Sequence, residues 1–211
     1  MDNNAEQLLK GMDELASMFS NRMADFEKNL QQSNSKESSS TVKSLSADFS
    51  SFKTFVWKSL GILKSQVELL VLGLDRLESH SRRKVLLIHG VKEDKDENVM
   101  DKTLAVLTNQ MMLTTLKSDF IESCHRLGVK KDGSRPILLR FAAMHHRKLV
   151  WNSKTSLKGT KISVSEFLTK SRQDVFFAAR NHFGVRMCWT VEGSVTVLLP
   201  DKTRKKIFSM G

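Results

Sequence analysis

The cations are the residues of this chain whose types and placement could do chemistry, and that chemistry is phosphate binding. Arg140 stands inside the apolar run Pro136-Ile137-Leu138-Leu139-Arg140-Phe141, where a long cation needs a phosphate or a carboxylate such as Glu122 or Glu166. Arg126 precedes the turn in His125-Arg126-Leu127-Gly128, and Lys130, Lys131 and Arg135 lie on or beside the loop that follows. Lys158 and Lys161 flank Gly159, whose missing Cβ lets a phosphate come close. Arg172 heads a helix, from which it reaches either across a cleft or to Asp174 or Glu166. Arg82, Arg83 and Lys84 form a basic junction between two kinds of segment. Lys202, Arg204, Lys205 and Lys206 read equally as a solvated strand end and as a contact.

Other chemistries find less support. Cys124, His125, His145, His146, His182 and Cys188 contain no closely spaced ligand pair, and adjacent His145 and His146 are expected to point apart on a helix, so no metal site is expected. There is no GxSxG, no GxxxxGK[ST] and no HExxH. The acidic group Glu93, Asp94, Asp96 and Glu97 reads as the approach to a helix start. Neither catalysis nor a cofactor is expected.

The charge distribution favours a polyanion partner. The chain carries 34 Lys and Arg against 23 Asp and Glu, a formal net charge of +11 over 211 residues. Residues 1–80 have nine basic and eleven acidic side chains, whereas residues 81–211 have twenty-five and twelve. Such asymmetry marks contact with nucleic acid more often than a merely solvated face. No apolar run is long enough for a membrane helix, the first ten residues do not read as a secretory signal, and two cysteines make no disulfide framework. The expected setting is therefore cytoplasmic, with the nucleus as a second compartment.

Three kinds of element must position these cations. In residues 1–32, Leu8, Met12, Leu15, Phe19, Met23, Phe26 and Leu30 are spaced four or three apart, which predicts an amphipathic helix with its stripe buried on something. Residues 33–46 are half serine and read as a hinge. Over residues 47–80 a seven-residue repeat runs through Phe49, Val56, Leu63, Leu70 and Leu77, with Leu60, Val67 and Leu74 three before the last three. A strict heptad makes neighbouring helices supercoil. A run from 49 to 78 would be about 45 Å long, more than a small domain covers. Self-association is expected, and apolar Trp57 and Val71 beside the seam lean towards three strands.

Residues 82–167 then alternate as strand, helix, strand, strand, helix, strand, the order of the ferredoxin-like split βαβ unit that RNA-recognition modules share. In residues 168–211 a helix over 169–183 and strands over 186–191 and 194–199 make a small second domain. The predicted class is α+β: a helical coiled coil, a ferredoxin-like domain and a small α+β C-terminal domain.

The motifs add a resemblance. Arg83-Lys84-Val85-Leu86-Leu87-Ile88-His89-Gly90-Val91, Cys124-His125-Arg126-Leu127-Gly128, Arg135-Pro136-Ile137-Leu138-Leu139-Arg140-Phe141, Leu157-Lys158-Gly159-Thr160-Lys161-Ile162 and Trp189-Thr190-Val191-Glu192-Gly193 occur in this order. Behind heptads, this series resembles the first-open-reading-frame protein of LINE-type non-LTR retrotransposons and the few-polyhedra proteins of baculoviruses. The resemblance covers roughly residues 45–208 and implies a trimeric coiled coil, a divergent RNA-recognition-motif domain and a small C-terminal domain. Together these would bind single-stranded RNA or DNA and act as an annealing chaperone within ribonucleoprotein particles. The generic RNA-recognition motif stacks bases on aromatics of its first and third strands. Leu87 and Leu138 stand there in this chain, so phosphate contacts are expected to dominate. The alternative is a coiled-coil scaffold whose basic domain grips an acidic protein.

Overall fold

The computed structural model describes residues 2–33, 42–129 and 133–207, and the chain divides into two compact units, Met1–Arg76 and Leu77–Gly211. It is a mixed α+β protein.

Helix α1 (Asp2–Ser33) and helix α2 (Val42–Arg82), the latter as far as Arg76, build the first unit. Ser33 ends α1, and Ser44 and Ser46 are already helical, so the expected hinge over 33–46 is shorter than its serine content suggests; its remainder, 34–41, lies outside the described residues. The helices run antiparallel. Phe19 meets Phe55 edge to face with centroids 4.8 Å apart, Arg22 donates to Ser51 Oγ at 2.6 Å, and Gly11 lies against the Gln66 amide. On α1 the half-buried face is Gly11, Leu15, Met18 and Arg22. On α2 Ser59 and Gln66 are buried and Phe55, Ile62, Leu69 and Gly73 half-buried, again at spacings of three and four.

That contact corrects the expected α1 stripe. Met12 and Met23 remain 59% exposed, because the buried face is rotated towards Gly11, whose lack of a side chain admits Gln66; Leu8, Phe26 and Leu30 have side chains outside the described residues. The heptad residues of α2 point away from α1. Phe49, Leu60, Leu63, Val67, Leu70, Leu74 and Leu77 are between 42% and 67% exposed, and Val56 is half-buried.

After the end of α2, the second unit continues with β1 (Val85–His89), α3 (Val99–Asn109), β2 (Ile121–Arg126), β3 (Ile137–Phe141), α4 (Met144–Ser153) and β4 (Ser163–Glu166). The sheet order is β2-β3-β1-β4, with every neighbouring pair antiparallel. Ile137, Leu139 and Phe141 enter a core with Leu86, Ile88, Leu107 and Val150, as strand alternation predicts. The opposite face carries the row His125, Leu138, Leu87 and Ser165. Asn98 starts α3 by accepting the Met100 and Asp101 amides. Gly90, at φ +82°, sits so close to the 161 carbonyl that a Cβ would lie 2.0 Å from it.

A second layer follows: α5 (Lys170–Phe183), capped by Thr169, packs on β5 (Cys188–Val191), β6 (Ser194–Leu198) and β7 (Arg204–Ile207), ordered β5-β6-β7. Val175 and Ala179 bury against Cys188, Val195 and Val197. Strand β7 departs from the expected pair of strands. It forms because Asp201 accepts both the amide and the hydroxyl of Thr203, closing a tight turn that aligns the basic run with β6.

Candidate nucleic-acid interface

One expected contact is not available as a ligand group. Arg126 ends β2 with its side chain only 4% exposed. Its Nε donates to Glu97 Oε1 at 2.7 Å, Nη1 to the Val91 and Arg135 carbonyls at 2.9 and 2.7 Å, and Nη2 to the Lys92 carbonyl at 3.0 Å and Glu97 Oε2 at 3.2 Å. Five donors have five acceptors. The expectation that Arg126 meets a phosphate is therefore corrected: burial forces a guanidinium to find partners inside the fold. Its hydrogen bonds hold the Glu97 carboxyl at about 2, well below the ordinary value.

The other expected cations divide into three groups. Arg135 pairs with Glu93 at 2.7 Å and donates to the Gly128 carbonyl, and Arg82 pairs with Glu78, donates to the Leu168 carbonyl and lies 4.0 Å over Phe167. Arg172 donates to the Gly193 carbonyl at 2.8 Å, and Asp174 pairs with Lys170. Lys84 donates to the Ala142 carbonyl. These four act inside the fold. Arg83, Lys158 and Lys161 are exposed, and Arg140 is half-buried with one long bond to the Ser81 carbonyl at 3.4 Å. Lys130 and Lys131 lie outside the described residues.

What the structure brings together instead is a cleft of about 750 Å³ within the second unit. One wall is the open face of the sheet, with Leu87, His89, Ser163 and Ser165; the other is α5 and β5, with Phe176, Phe177, Arg180 and Trp189; Trp151 and Lys154 close the β4 edge. Phe177 is 52% exposed. His89 Nε2 lies 2.8 Å from Ser165 Oγ, and burial lowers the pKa of its imidazole, leaving it neutral at pH 7. The Lys154 ammonium stands 3.2 Å from the Trp151 centroid, and burial lowers its pKa as well. The Arg180 guanidinium covers Phe176 at 4.2 Å while its Nε is buried without a hydrogen-bond partner among the described residues.

Lys154 and Arg180 are not among the cations that the sequence singles out. Their signal was local: Lys154 follows Trp151 by three and Arg180 follows Phe176 by four, the helical spacings that set a cation on a ring. One buried ion pair and one hydrogen bond meet at a carboxylate that lines the cleft. Glu166 at the end of β4 pairs with Arg147, both side chains under 5% exposed, and its other oxygen accepts the Gly193 amide at 3.0 Å. His145 and His146 do not point apart as expected. Their rings lie 3.7 Å apart because His146 is drawn into a stack on Phe120 at 4.0 Å. Among the described residues no group of three His, Cys, Asp or Glu could hold a metal ion. No helix among them is long and apolar enough to cross a membrane.

No protein-family model matches the chain, and no curated protein matches it.

Proposed function

We propose that this chain is a single-stranded nucleic-acid-binding protein, with RNA as its natural ligand class, that self-associates through α2 and acts as an annealing chaperone within ribonucleoprotein particles. In this reading β1 to β4 form a divergent RNA-recognition-motif domain, α5 to β7 the small C-terminal domain, and the chain is a relative of the retrotransposon and baculovirus proteins it resembles. The observation that carries the reading is the cleft itself: aromatic rings and two cations face one another across a sheet surface in the strongly basic part of the chain.

The sheet order β2-β3-β1-β4 and the exposed heptad stripe of α2 are further support. Phosphate contacts are assigned to Lys154 and Arg180 in the cleft and to Arg83, Arg140, Lys158 and Lys161 outside it. Contacts of this kind are individually weak and blind to sequence, so strands held by them can still rearrange. Six neutralised phosphates per protomer give a slope of log affinity against log salt of about −4 on a single strand. Filter binding of a labelled single strand at graded salt measures it. A flat salt response, or purified protein that ignores single strands in dilute buffer while holding an acidic protein, overturns the proposal.

A further inference from the structure

We infer that the cleft takes an unpaired nucleobase, stacked on Phe177 and Trp189, so that the chain reads bases as well as phosphates. The inference rests on the nucleic-acid function proposed above and adds a base site to it. The usual stacking positions of a four-stranded RNA-binding sheet are aliphatic here, Leu87 and Leu138. The rings that compensate come from outside that sheet, from α5 and β5.

Phe177 is half exposed on a helix whose neighbouring Val175 and Ala179 are buried, so its ring is not used by the core. Trp189 lies on the same wall of the cleft. The opposite wall offers His89 and Ser165, a neutral pair 2.8 Å apart able to donate to and accept from a base edge. Lys154 and Arg180 beside them suit the phosphates that flank such a base. The volume, about 750 Å³, is in the range of sites that enclose a small ligand. A duplex cannot offer a stacked base to a recess of this kind without unpairing it, so the recess selects single strands.

The test compares the full-length protein with Phe177→Ala and Phe177→Trp, each titrated with oligothymidylate and with an abasic strand of equal length and charge. A base stacked on an aromatic ring is worth a factor of about 5 to 150 in affinity. Phe177→Ala is expected to lose a factor in that range on oligothymidylate and nothing on the abasic strand, while Phe177→Trp keeps wild-type affinity for both. The half-exposed position makes either variant tolerable to the fold, which circular dichroism verifies. Equal losses on the two strands, or none on either, overturn the base site and leave the phosphate-binding function standing. Failure of the wild-type protein to bind either strand overturns both.

Discussion

Arg126 shows how far a cation's role depends on what folds around it. Glu97 is only 7% exposed and Arg126 only 4%; removing Arg126 leaves Glu97 with Lys102 at 2.7 Å but strips the buried carbonyls of Val91, Lys92 and Arg135 of its donors. Arg126→Ala is expected to cost about 3–5 kcal/mol of stability, measured by urea denaturation. The pair also fixes an acid limit. Because the Glu97 pKa is lowered from 4.5 to about 2 on folding, its contribution is complete above pH 4.5 and disappears as pH falls through about 2. Melting curves across that window should show a steeper loss for the wild type than for Glu97→Gln. None of this was legible in the sequence: Arg126 and Glu97 are 29 positions apart, so no spacing rule joins them, and an Arg before Leu127-Gly128 reads as a phosphate contact. Lys154 and Arg180 carried a readable local signal.

At the scale of elements, β4 matters more than its four residues suggest. Glu166 holds Arg147 of α4 with one oxygen and the β5–β6 turn with the other, while Arg172 of α5 grips the same turn through the Gly193 carbonyl. Glu166→Ala strands Arg147 in the interior and is expected to destabilise by about 3–5 kcal/mol. Pairing Glu166→Leu with Arg147→Met restores an apolar fit and much of that stability, yet the Gly193 amide stays unbonded. Limited proteolysis near residues 167–169 should therefore remain faster in the double variant than in the wild type. Short apolar runs bounded by turn signals made the first four strands legible, and alternation the inward face of β3. Strand β7 was hidden, because its cations resemble a tail until the Asp201 turn places them beside β6. The last residues of the expected hinge, 42–46, are helical because serine disfavours a helix only mildly and the neighbouring α2 sequence overrides it.

At the scale of the whole molecule, the exposed stripe of α2 makes a prediction about assembly. Leu63 and Leu70 are 42% and 52% exposed, so replacing both with Lys costs the isolated chain little packing. The double variant should keep its helix content and sediment as a monomer where the wild type sediments as an oligomer. A wild-type monomer at micromolar concentration would remove the assembly from the proposed function. Affinity for long strands should fall with the oligomer, since joined sites raise one another's effective concentration, whereas affinity for a strand too short to bridge two copies should not change. The heptad was legible because its period is strict; the folding back of α1 was not, since its partner face on α2 has the same spacings and includes polar Ser59 and Gln66. That folding back has a structural corollary. A threefold assembly closed through Leu63 and Leu70 would be six helices thick, an inner triplet jacketed by an outer one. Its girth would exceed that of a bare supercoil, and a truncation deleting the jacket would slim the rod while sparing its seam.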